Sequence, residues 1–287
     1  IDRAFVRNLL AYELFQSFGG PERYAPESRT CTLELNEQPW GIYFLVERVK
    51  QDSSRIALEP GDSFIMKLND SGGIQSHASV GFGTWKVVYP SAPSPDQILG
   101  MQSWVLGWQD KILNDPAGMW DYLDRDSAID FLILQELMKN NDAYYLSVHL
   151  WRDTGGLAHF TPWDLDLTLG QPTYNDNVSP EGWVLYRPTW VASMTATEGF
   201  SEALTARWGE LRQGQLSDEA LLARVEAQWT LLGEDLPEEN FEIWPWDEID
   251  FLGGYLPVVE DYAAEQDNIR TWLPARTAWI DANIEAY

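Results

Sequence analysis

The spacing of hydrophobic residues changes along the chain, and this change limits the possible folds more than any other feature of the sequence. Before residue 90, apolar runs rich in strand-forming residues predict β-strands at 31–36, 42–46, 63–68 and 85–89. After residue 199, apolar residues recur every three to four positions and predict helices at 200–212, 217–232, 257–272 and 274–286. We therefore expect an α+β protein in which the strands come early and the helices late.

The part before residue 90 is predicted to contain one helix and a sheet. Asp2 is a suitable N-cap for a helix that ends before Gly19-Gly20-Pro21. The strands at 31–36 and 42–46 flank a turn, which predicts a β-hairpin whose second, continuously apolar strand is buried. Three prolines between Pro90 and Pro95 indicate a linker. We therefore expect a small unit over residues 1–89 and a larger, mainly helical unit over 90–287.

Two helices and a second hairpin are predicted between the linker and the helical C-terminal part. The helices span 96–113 and 126–139, and Asp126 is the expected N-cap of the second helix. The hairpin strands span 144–151 and 157–163, and Gly155-Gly156 between them can adopt the positive φ angles that a tight turn requires.

The composition excludes several classes of protein. The 287 residues include 45 Asp and Glu against 19 Lys and Arg, which gives a formal charge of −26. Nucleic acid is an unlikely partner for such a chain, because binding to phosphate backbones depends on Lys and Arg. A disordered acidic tail is also excluded, since 45% of the residues are hydrophobic and 13% aromatic. The acidic residues must therefore coat a folded body.

Cysteine and histidine are too few for a disulfide framework or a zinc site. The only cysteine is Cys31, and there are three histidines, so any metal is expected to have oxygen ligands. Cys31 lies on a predicted strand, where a small buried hydrophobic residue is expected. No apolar run reaches about 18 residues, so no transmembrane segment is predicted. The acidic composition and the start at Ile1 without a leader favour a secreted or surface protein whose signal lies outside this chain.

Three aspartates around the second hairpin form the pattern with the clearest chemical meaning. Asp142 follows a predicted helix C-terminus, where the helix dipole disfavours a carboxylate, and this suggests a functional reason for its position. Asp164 and Asp166 follow an apolar strand and project to the same side if the chain is extended. Two converging carboxylates require a cation or a shared proton, and oxygen ligands suit Mg²⁺ or Mn²⁺ held together with phosphates.

The order of these residues matches that of protein kinases. A kinase places its catalytic Asp after a helix, a metal-binding Asn five residues later, then a hairpin, then a second metal-binding Asp. In this chain Ser147 stands five residues after Asp142, a hairpin follows, and Asp164 closes it. Ser147 takes the place of the Asn, and neither of the usual kinase motifs around the two aspartates is present as written.

Several longer segments resemble the CotH kinases, a family of atypical protein kinases named for spore coat protein H. In chain order they are DRAFVRNLLAYELFQSFGG, LNEQPWGIYFLVERV, NNDAYYLSVHLWRDTGG, FTPWDLDLTLG, ARWGELRQG and TWLPARTAWIDANI. Together they span nearly the whole chain. The resemblance implies a two-lobed kinase-like fold with a small β-rich lobe and a larger helical lobe. It also implies phosphorylation of secreted or coat proteins with ATP and a divalent metal, Mg²⁺ or Mn²⁺.

The same resemblance implies roles for the four residues. Asp142 corresponds to the catalytic Asp and Asp164 to the principal metal ligand, while Asp166 and Ser147 correspond to auxiliary metal or phosphate contacts. In this chain the turn before Gly41 reads Gln-Pro-Trp where the family often has Asn-Gly, and no glycine-rich phosphate loop of the usual kinase pattern is present. Loops 71–73 and 81–83 contain glycines, but an ordinary loop is the preferred interpretation.

The lysine and the glutamate that would hold the nucleotide phosphates are each left with two candidates. Lys67, in an otherwise apolar strand, is preferred over Lys86, because a lone Lys there lies at a sheet edge or points toward an anion. Its glutamate partner is expected to be Glu47, which matches a family position, or Glu13 on the first helix.

Alternative functions remain open at this point. A kinase fold can also transfer AMP or an amino acid to protein, as in AMPylation or glutamylation, or serve only as an adhesion module.

Aromatic side chains can stack on sugars, and the candidates for such a platform are Trp183, Tyr186, Trp190, Trp244 and Trp246. His149 and His159 on the second hairpin are interpreted as structural. For a kinase of this charge, the expected protein substrate carries a basic, Ser-rich segment.

Overall fold

The computed structural model describes residues 2–69, 73–75, 83–171, 178–185, 187–246 and 259–287. Within these ranges the strands are β1 (Ser28–Leu35), β2 (Gln38–Val46), β3 (Phe64–Asn69), β4 (Ile74–Gln75), β5 (Thr84–Tyr89), β6 (Val148–Arg152) and β7 (Ala158–Pro162). The helices are α1 (Arg7–Gly19), α2 (Pro95–Asn114), α3 (Arg125–Met138), α4 (Thr189–Thr195), α5 (Phe200–Arg212), α6 (Asp218–Leu232), α7 (Asp235–Ile243) and α8 (Tyr262–Asn283). In this part of the chain, none of the helices combines the length and the apolarity needed to cross a membrane.

The strands form two antiparallel sheets. β1 and β2 pair with each other in a two-stranded sheet, and the other strands form a five-stranded sheet in the order β4-β5-β3-β6-β7. The central strand β3 pairs with β5 on one side and with β6 on the other. This sheet therefore joins strands from both sides of the proline-rich segment at 90–95. The α+β class is confirmed, while the two-lobed kinase arrangement and its boundary at residue 89 stay predictions.

The two faces of β3 pack into different apolar clusters. Phe64, Met66 and Leu68 are buried in the main core together with side chains of α1, α2 and α3. Ile65 faces the opposite way, into a small cluster that includes Ile56. Because β3 has buried residues on both faces, its sequence is a nearly continuous apolar run, and Lys67 interrupts this run on the face of Ile65.

Most of the predicted elements are confirmed with small shifts at their ends. The helix at 200–212 matches α5, and the strands at 63–68 and 85–89 match β3 and β5 within a residue. In the second hairpin Gly155 has a positive φ of 69°, as the turn prediction required. β6 begins only at Val148, because the residues before it form turns.

Two predicted helix caps are displaced. The N-cap of α3 is Asp124 instead of Asp126, and its carboxylate accepts a hydrogen bond of 2.6 Å from the Ser127 N–H. The N-cap residue of α1 is Val6 instead of Asp2. Asp2 nevertheless accepts a hydrogen bond from the Arg7 N–H at 2.8 Å. Its carboxylate therefore satisfies an N–H of the first turn, although Asp2 lies several residues before the helix.

The two predicted C-terminal helices are one helix. Pro274 was expected to separate them, but α8 continues through it. Leu273 and Thr277, on either side of the proline, are fully buried, so tertiary packing keeps both halves in line. The predicted start at residue 257 lies outside the described residues, and α8 begins at Tyr262 after the N-cap Asp261.

The first hairpin is more exposed than predicted. β2 was expected to be buried, yet among its residues only Gly41 is, and Cys31 on β1 is exposed instead of buried. The reason is that β1 and β2 stand apart from the five-stranded sheet and rest mainly on α7. An apolar run in such a hairpin is covered on one face at most.

Candidate active site

The segment that follows β7 carries Asp164 and is held by α1. The Asp164 N–H donates a hydrogen bond to the Tyr12 hydroxyl at 3.0 Å, and the Leu165 N–H donates one to Asn8 Oδ1 at 2.6 Å. Four residues after Asp164, the Thr168 carbonyl accepts a hydrogen bond from Arg7 Nε at 2.8 Å. Three side chains of one helix thus fix the backbone of this loop.

Arg7 is the buried anchor of this arrangement. Its guanidinium is fully buried and contacts the carboxylate of Asp2 at 2.7 Å and that of Glu265 on α8. These two carboxylates and the Thr168 carbonyl compensate the desolvation of the guanidinium. The Asp164 loop, α1 and α8 are therefore joined through one side chain.

Asp142 is positioned by a turn that follows α3. The helix ends at Lys139 in the left-handed region, with a φ of 50°. Asn140 Oδ1 then accepts a hydrogen bond from the Asp142 N–H at 3.1 Å, and the Tyr145 hydroxyl donates one to Asp142 Oδ1 at 2.9 Å. The half-buried carboxylate is thereby oriented by its own turn.

Ser147 and Asp164 lie at the same end of the second hairpin. Val148 pairs with Pro162, so Ser147 enters β6 where the chain leaves β7 toward Asp164. Both residues have positive φ angles, 54° for Ser147 and 60° for Asp164, although neither is glycine. Such backbone conformations cost about 1–3 kcal/mol each and concentrate at functional sites.

The three aspartates are close enough for the charge of one to act on the next. Desolvation raises the pKa of the Asp164 carboxyl above its usual range although the residue reaches the surface; a hydrogen bond with Asp166 acts in the opposite direction, and the nearby charge of Asp142 adds to the rise. Burial, followed by the charges of Asp164 and Asp2, raises the pKa of Asp166 to about 6. The structure therefore brings Asp142, Asp164 and Asp166 into one electrostatic neighbourhood, as their order in the sequence predicted.

The carboxylate pair fits a divalent cation. A cation between Asp164 and Asp166 would relieve their mutual repulsion, and hard oxygen ligands are those that Mg²⁺ and Mn²⁺ prefer. In the part of the chain that the structure describes, no group of three or more His, Cys, Asp or Glu side chains is arranged to hold a metal. The remaining ligands would then be water and phosphate oxygens, which is the usual case for Mg²⁺.

Lys67 lies on a row of side chains that crosses the five-stranded sheet. Its register partners are Lys86 on β5 and His149 on β6, and His149 in turn pairs with Thr161 on β7. Lys67 is half-buried, whereas Lys86 is exposed. Burial, and secondarily the charge of Lys67, lowers the pKa of His149 to about 3, so this histidine is neutral.

His149 also connects this row to the aspartates. Its ring meets that of Trp163 edge to face at 5.7 Å, and Trp163 is the residue immediately before Asp164. The neutral histidine has a structural place in the hairpin, in line with its interpretation from the sequence. His149 is the register partner of Lys67 and its ring contacts Trp163, so the row of side chains that includes Lys67 reaches the residue before Asp164.

The two candidate glutamates have other partners. Glu47 pairs with Arg55 at 2.9 Å, and Glu13 lies 3.7 Å from Arg224 and accepts a hydrogen bond from Gln228. Among the described residues, no ion pair joins either glutamate to Lys67 or Lys86. The lysine–glutamate clamp therefore stays a prediction.

A cavity of about 410 Å³ opens beside Asp166. Its walls come from the start of α1, from β2 and from α7, and they include Asn8, Phe44, Asn240 and Trp244. The sequence alone indicates no role for Asn8, Tyr12, Arg7 or α7. The available signal was the N-terminal segment DRAFVRN, in which two arginines and an asparagine interrupt an apolar helix pattern.

Gly41 allows the first hairpin to approach α7. Its φ is 97°, and a Cβ atom at this position would lie 2.5 Å from Asn240 Oδ1 and 3.1 Å from the Trp244 ring. The same Asn240 oxygen accepts a hydrogen bond from the Ile42 N–H at 2.8 Å, while the Trp244 indole N–H donates one to the Trp40 carbonyl at 2.8 Å. These contacts close one side of the cavity.

The proposed aromatic platform for sugars is not formed as predicted. Trp190 is fully buried and its indole N–H donates to the Tyr144 carbonyl, so it belongs to the core. Trp183 packs on Trp279 at 4.7 Å, whereas Trp244 is part of the cavity wall near β2. Tyr186 lies outside the described residues, as do 71–72 and 81–82 of the two glycine-containing loops.

Comparison with known proteins identifies one family. The family described as CotH kinase protein matches residues 1–280 of the 287, which confirms the resemblance carried by the sequence segments. No curated protein gives a significant match to the chain.

Proposed function

The chain belongs to the CotH kinase family, and we propose on this premise that it is an ATP- and metal-dependent protein kinase. Family membership implies a kinase-like enzyme. The observation that supports this proposal is the arrangement of Asp142, Asp164 and Asp166 at one end of the second hairpin, where the charge of Asp142 raises the pKa of Asp164 and the charge of Asp164 raises that of Asp166. We propose as acceptors the Ser or Thr hydroxyls of a secreted, surface or coat protein.

The role of Asp142 in this proposal is to orient the acceptor hydroxyl and take its proton. The hydroxyl oxygen forms a bond to the γ-phosphorus, the bond from that phosphorus to the β,γ-bridging oxygen breaks, and ADP leaves. The Tyr145 hydroxyl, 2.9 Å from Asp142 Oδ1, holds the carboxylate in position during this step. Orientation of this kind is a large part of catalysis in phosphoryl transfer.

Asp164 and Asp166 are proposed to hold the metal, with Ser147 as an auxiliary contact. When bound, the metal supplies charge neutralisation at the phosphate oxygens. The backbone of Asp164 is in the left-handed region and is fixed by its hydrogen bond to Tyr12. Lys67 is proposed to contact the α- and β-phosphates, since it is half-buried on the strand beside His149.

The substrate is proposed to carry a basic segment. The protein has a formal charge of −26, and complementary charge accelerates encounter with a basic partner. A secreted or surface location is part of the same proposal and rests on the composition and on the substrates that the family resemblance implies.

Intact-mass analysis tests the proposed reaction. The protein is incubated with ATP, Mn²⁺ and a basic, Ser-rich peptide, and a gain of roughly 80 Da on the peptide or on the protein itself is expected for phosphate. Asp142→Asn and Asp164→Asn should lose this gain. Asp126→Asn is the matched control, because Asp126 is an exposed acid in the first turn of α3.

The same spectra separate the alternatives. An adduct of a different mass would replace phosphorylation by AMP or amino-acid transfer. No adduct on any acceptor, together with no binding of ATP and metal by calorimetry, would support the adhesion module and contradict an enzymatic role.

A further inference from the structure

The cavity beside Asp166 lies apart from the sheet that carries Lys67. Of the described residues that line it, none belongs to the five-stranded sheet, and Asp142 does not line it either. The nucleotide phosphates are proposed to contact Lys67, and the phosphorylated hydroxyl is proposed to approach Asp142, so both are placed outside this cavity. The part of the substrates that can enter it is a residue of the acceptor that flanks the phosphorylated one.

The walls of the cavity suit a long cationic side chain. Phe44 on β2 and Phe241 and Trp244 on α7 are half-buried, so their rings are partly accessible. Aromatic faces attract the charged ends of Lys and Arg, and the aliphatic stem of either side chain packs on the same kind of surface. The volume of about 410 Å³ falls in the range of small-molecule sites, so one such side chain fits.

The charges at the end of the cavity near Asp166 are nearly balanced. Asp2, Asp166 and Arg3 line the cavity. Asp2 forms an ion pair with Arg7, which in turn pairs with Glu265. Among these described residues the carboxylates exceed the guanidinium groups by one, and a metal at Asp166 would compensate that excess. The charge that attracts a basic side chain must therefore come from another part of the wall.

Helix α7 supplies this negative charge. From its N-cap Glu234 to Ile243 the sequence EDLPEENFEI contains acidic residues and no Lys, Arg or His. Glu234 and Glu238 are exposed and precede Phe241 by seven and three residues, a spacing that places the three side chains in one row along the helix. Glu239 is also exposed but lies on the other side of α7. The aromatic wall is therefore bordered by carboxylates along one row of α7.

We propose that this cavity receives a Lys or Arg side chain that flanks the phosphorylated Ser or Thr of the acceptor, with Phe44, Phe241 and Trp244 around its stem and Glu238 at its charged end. The inference rests on the proposed function, since it names the subsite by which the same reaction selects its acceptor. It replaces a general attraction by the charge of −26 with recognition at one position of the acceptor chain.

A series of peptides tests this recognition. Each peptide carries one Ser in a neutral sequence and a single Arg, which is moved one position at a time along the peptide. With ATP and Mn²⁺, the full chain should prefer one Arg position by about 3- to 30-fold in kcat/KM, the range of one cation–aromatic contact. The preference should appear in KM and not in kcat, because the contact is the same before and during phosphate transfer.

Two variants of the cavity should lose the preference. Glu238→Gln and Phe44→Ala are each expected to reduce it about threefold or more. Glu239→Gln is the matched control, because it removes the same charge from the other side of α7, and it should keep the preference. Circular dichroism shows whether Phe44→Ala retains the fold. Glu238→Lys is an independent test at an exposed position and should favour a peptide with Glu in place of the preferred Arg.

The outcomes separate the two proposals. If Arg acts alike at every position, or if either folded cavity variant keeps the preference, the attraction is a general one and the inference is wrong. If no peptide is phosphorylated, the proposed function fails, and calorimetry with the same peptides decides the inference. Binding that favours one Arg position and loses this in Glu238→Gln would support the subsite, whereas equal affinity for all the peptides would refute it.

Discussion

Replacing Asp166 by Asn should stabilise the protein at neutral pH when no divalent metal is present. Burial and the charges of Asp164 and Asp2 raise the pKa of Asp166 from its ordinary value of 3.8 to about 6. The ionised form is therefore disfavoured in the folded state. Asn keeps the size and the hydrogen-bonding capacity of the side chain but removes the charge.

The magnitude and its pH range follow from proton linkage. A rise in pKa from 3.8 to about 6 corresponds to about 3 kcal/mol, at about 1.4 kcal/mol for each pH unit. Because Asp164 and Asp166 titrate together, part of this belongs to the pair, and we expect a gain of about 1–3 kcal/mol. Between about pH 4 and 6 the folded state binds more protons than the unfolded state, so the stability of the parent protein falls as pH rises through this window.

Urea unfolding between pH 4 and 8, with a chelator present, measures this effect as the difference between the two proteins. The free energies of unfolding should be similar near pH 4 and diverge in favour of Asp166→Asn up to about pH 6.5, with a constant difference above that. Asp126→Asn, an exposed acid in the first turn of α3, should show no such divergence. A difference that is flat with pH, or a less stable Asp166→Asn at pH 7, would refute the electrostatic argument.

Three further substitutions test contacts that hold the site and the fold. Tyr12→Phe removes the acceptor of the Asp164 N–H, and we expect a loss of about 1–2 kcal/mol in unfolding free energy and several-fold weaker metal–ATP binding by calorimetry. Gly41→Ala places a Cβ 2.5 Å from Asn240 Oδ1 at a φ of 97°, so urea unfolding should show a loss of about 1–3 kcal/mol. Glu136→Ala removes the charged partner of the buried Arg276 and the acceptor of two tyrosine hydroxyls, and a loss of about 3–5 kcal/mol is expected in the same measurement.

The elements of the fold were predictable wherever burial followed a regular spacing. In the helix α5 the apolar residues recur with the 3.6-residue period of a helix, and in the strand β3 they form a nearly continuous run. The bounds predicted for both elements agree with the structure within a residue. The exposure of β2 was not predictable, because an apolar run in the sequence does not show whether another sheet or helix covers the strand. The continuity of α8 through Pro274 was not predictable for a similar reason, since the packing that keeps this helix continuous comes from distant segments.

The site was predictable in its parts but not in its support. Asp142 and Asp164 stand in a recognisable order, which requires only local sequence. The hydrogen bond from the Asp164 N–H to Tyr12 joins residues 152 positions apart, and the one from the Leu165 N–H to Asn8 joins residues 157 apart. A backbone N–H leaves no trace in the sequence at its own position, so only the structure shows that α1 holds this loop.

Two kinds of acid in this protein differ in their partners, and the difference explains why the charge count alone did not identify the site. Asp130 and Glu136 are each in contact with arginine, Asp130 with Arg23 at 2.6 Å and Glu136 with Arg276 at 3.5 Å. In the described part of the chain, neither Asp164 nor Asp166 has an ion pair with a lysine or arginine side chain. Desolvation raises the pKa of both, and a neighbouring carboxylate adds to the rise, Asp142 for Asp164 and Asp164 for Asp166. An acid paired with arginine stabilises one arrangement of the chain. A converging pair without such a partner is costly in the folded state unless a cation arrives, and that cost is what makes the pair able to bind one.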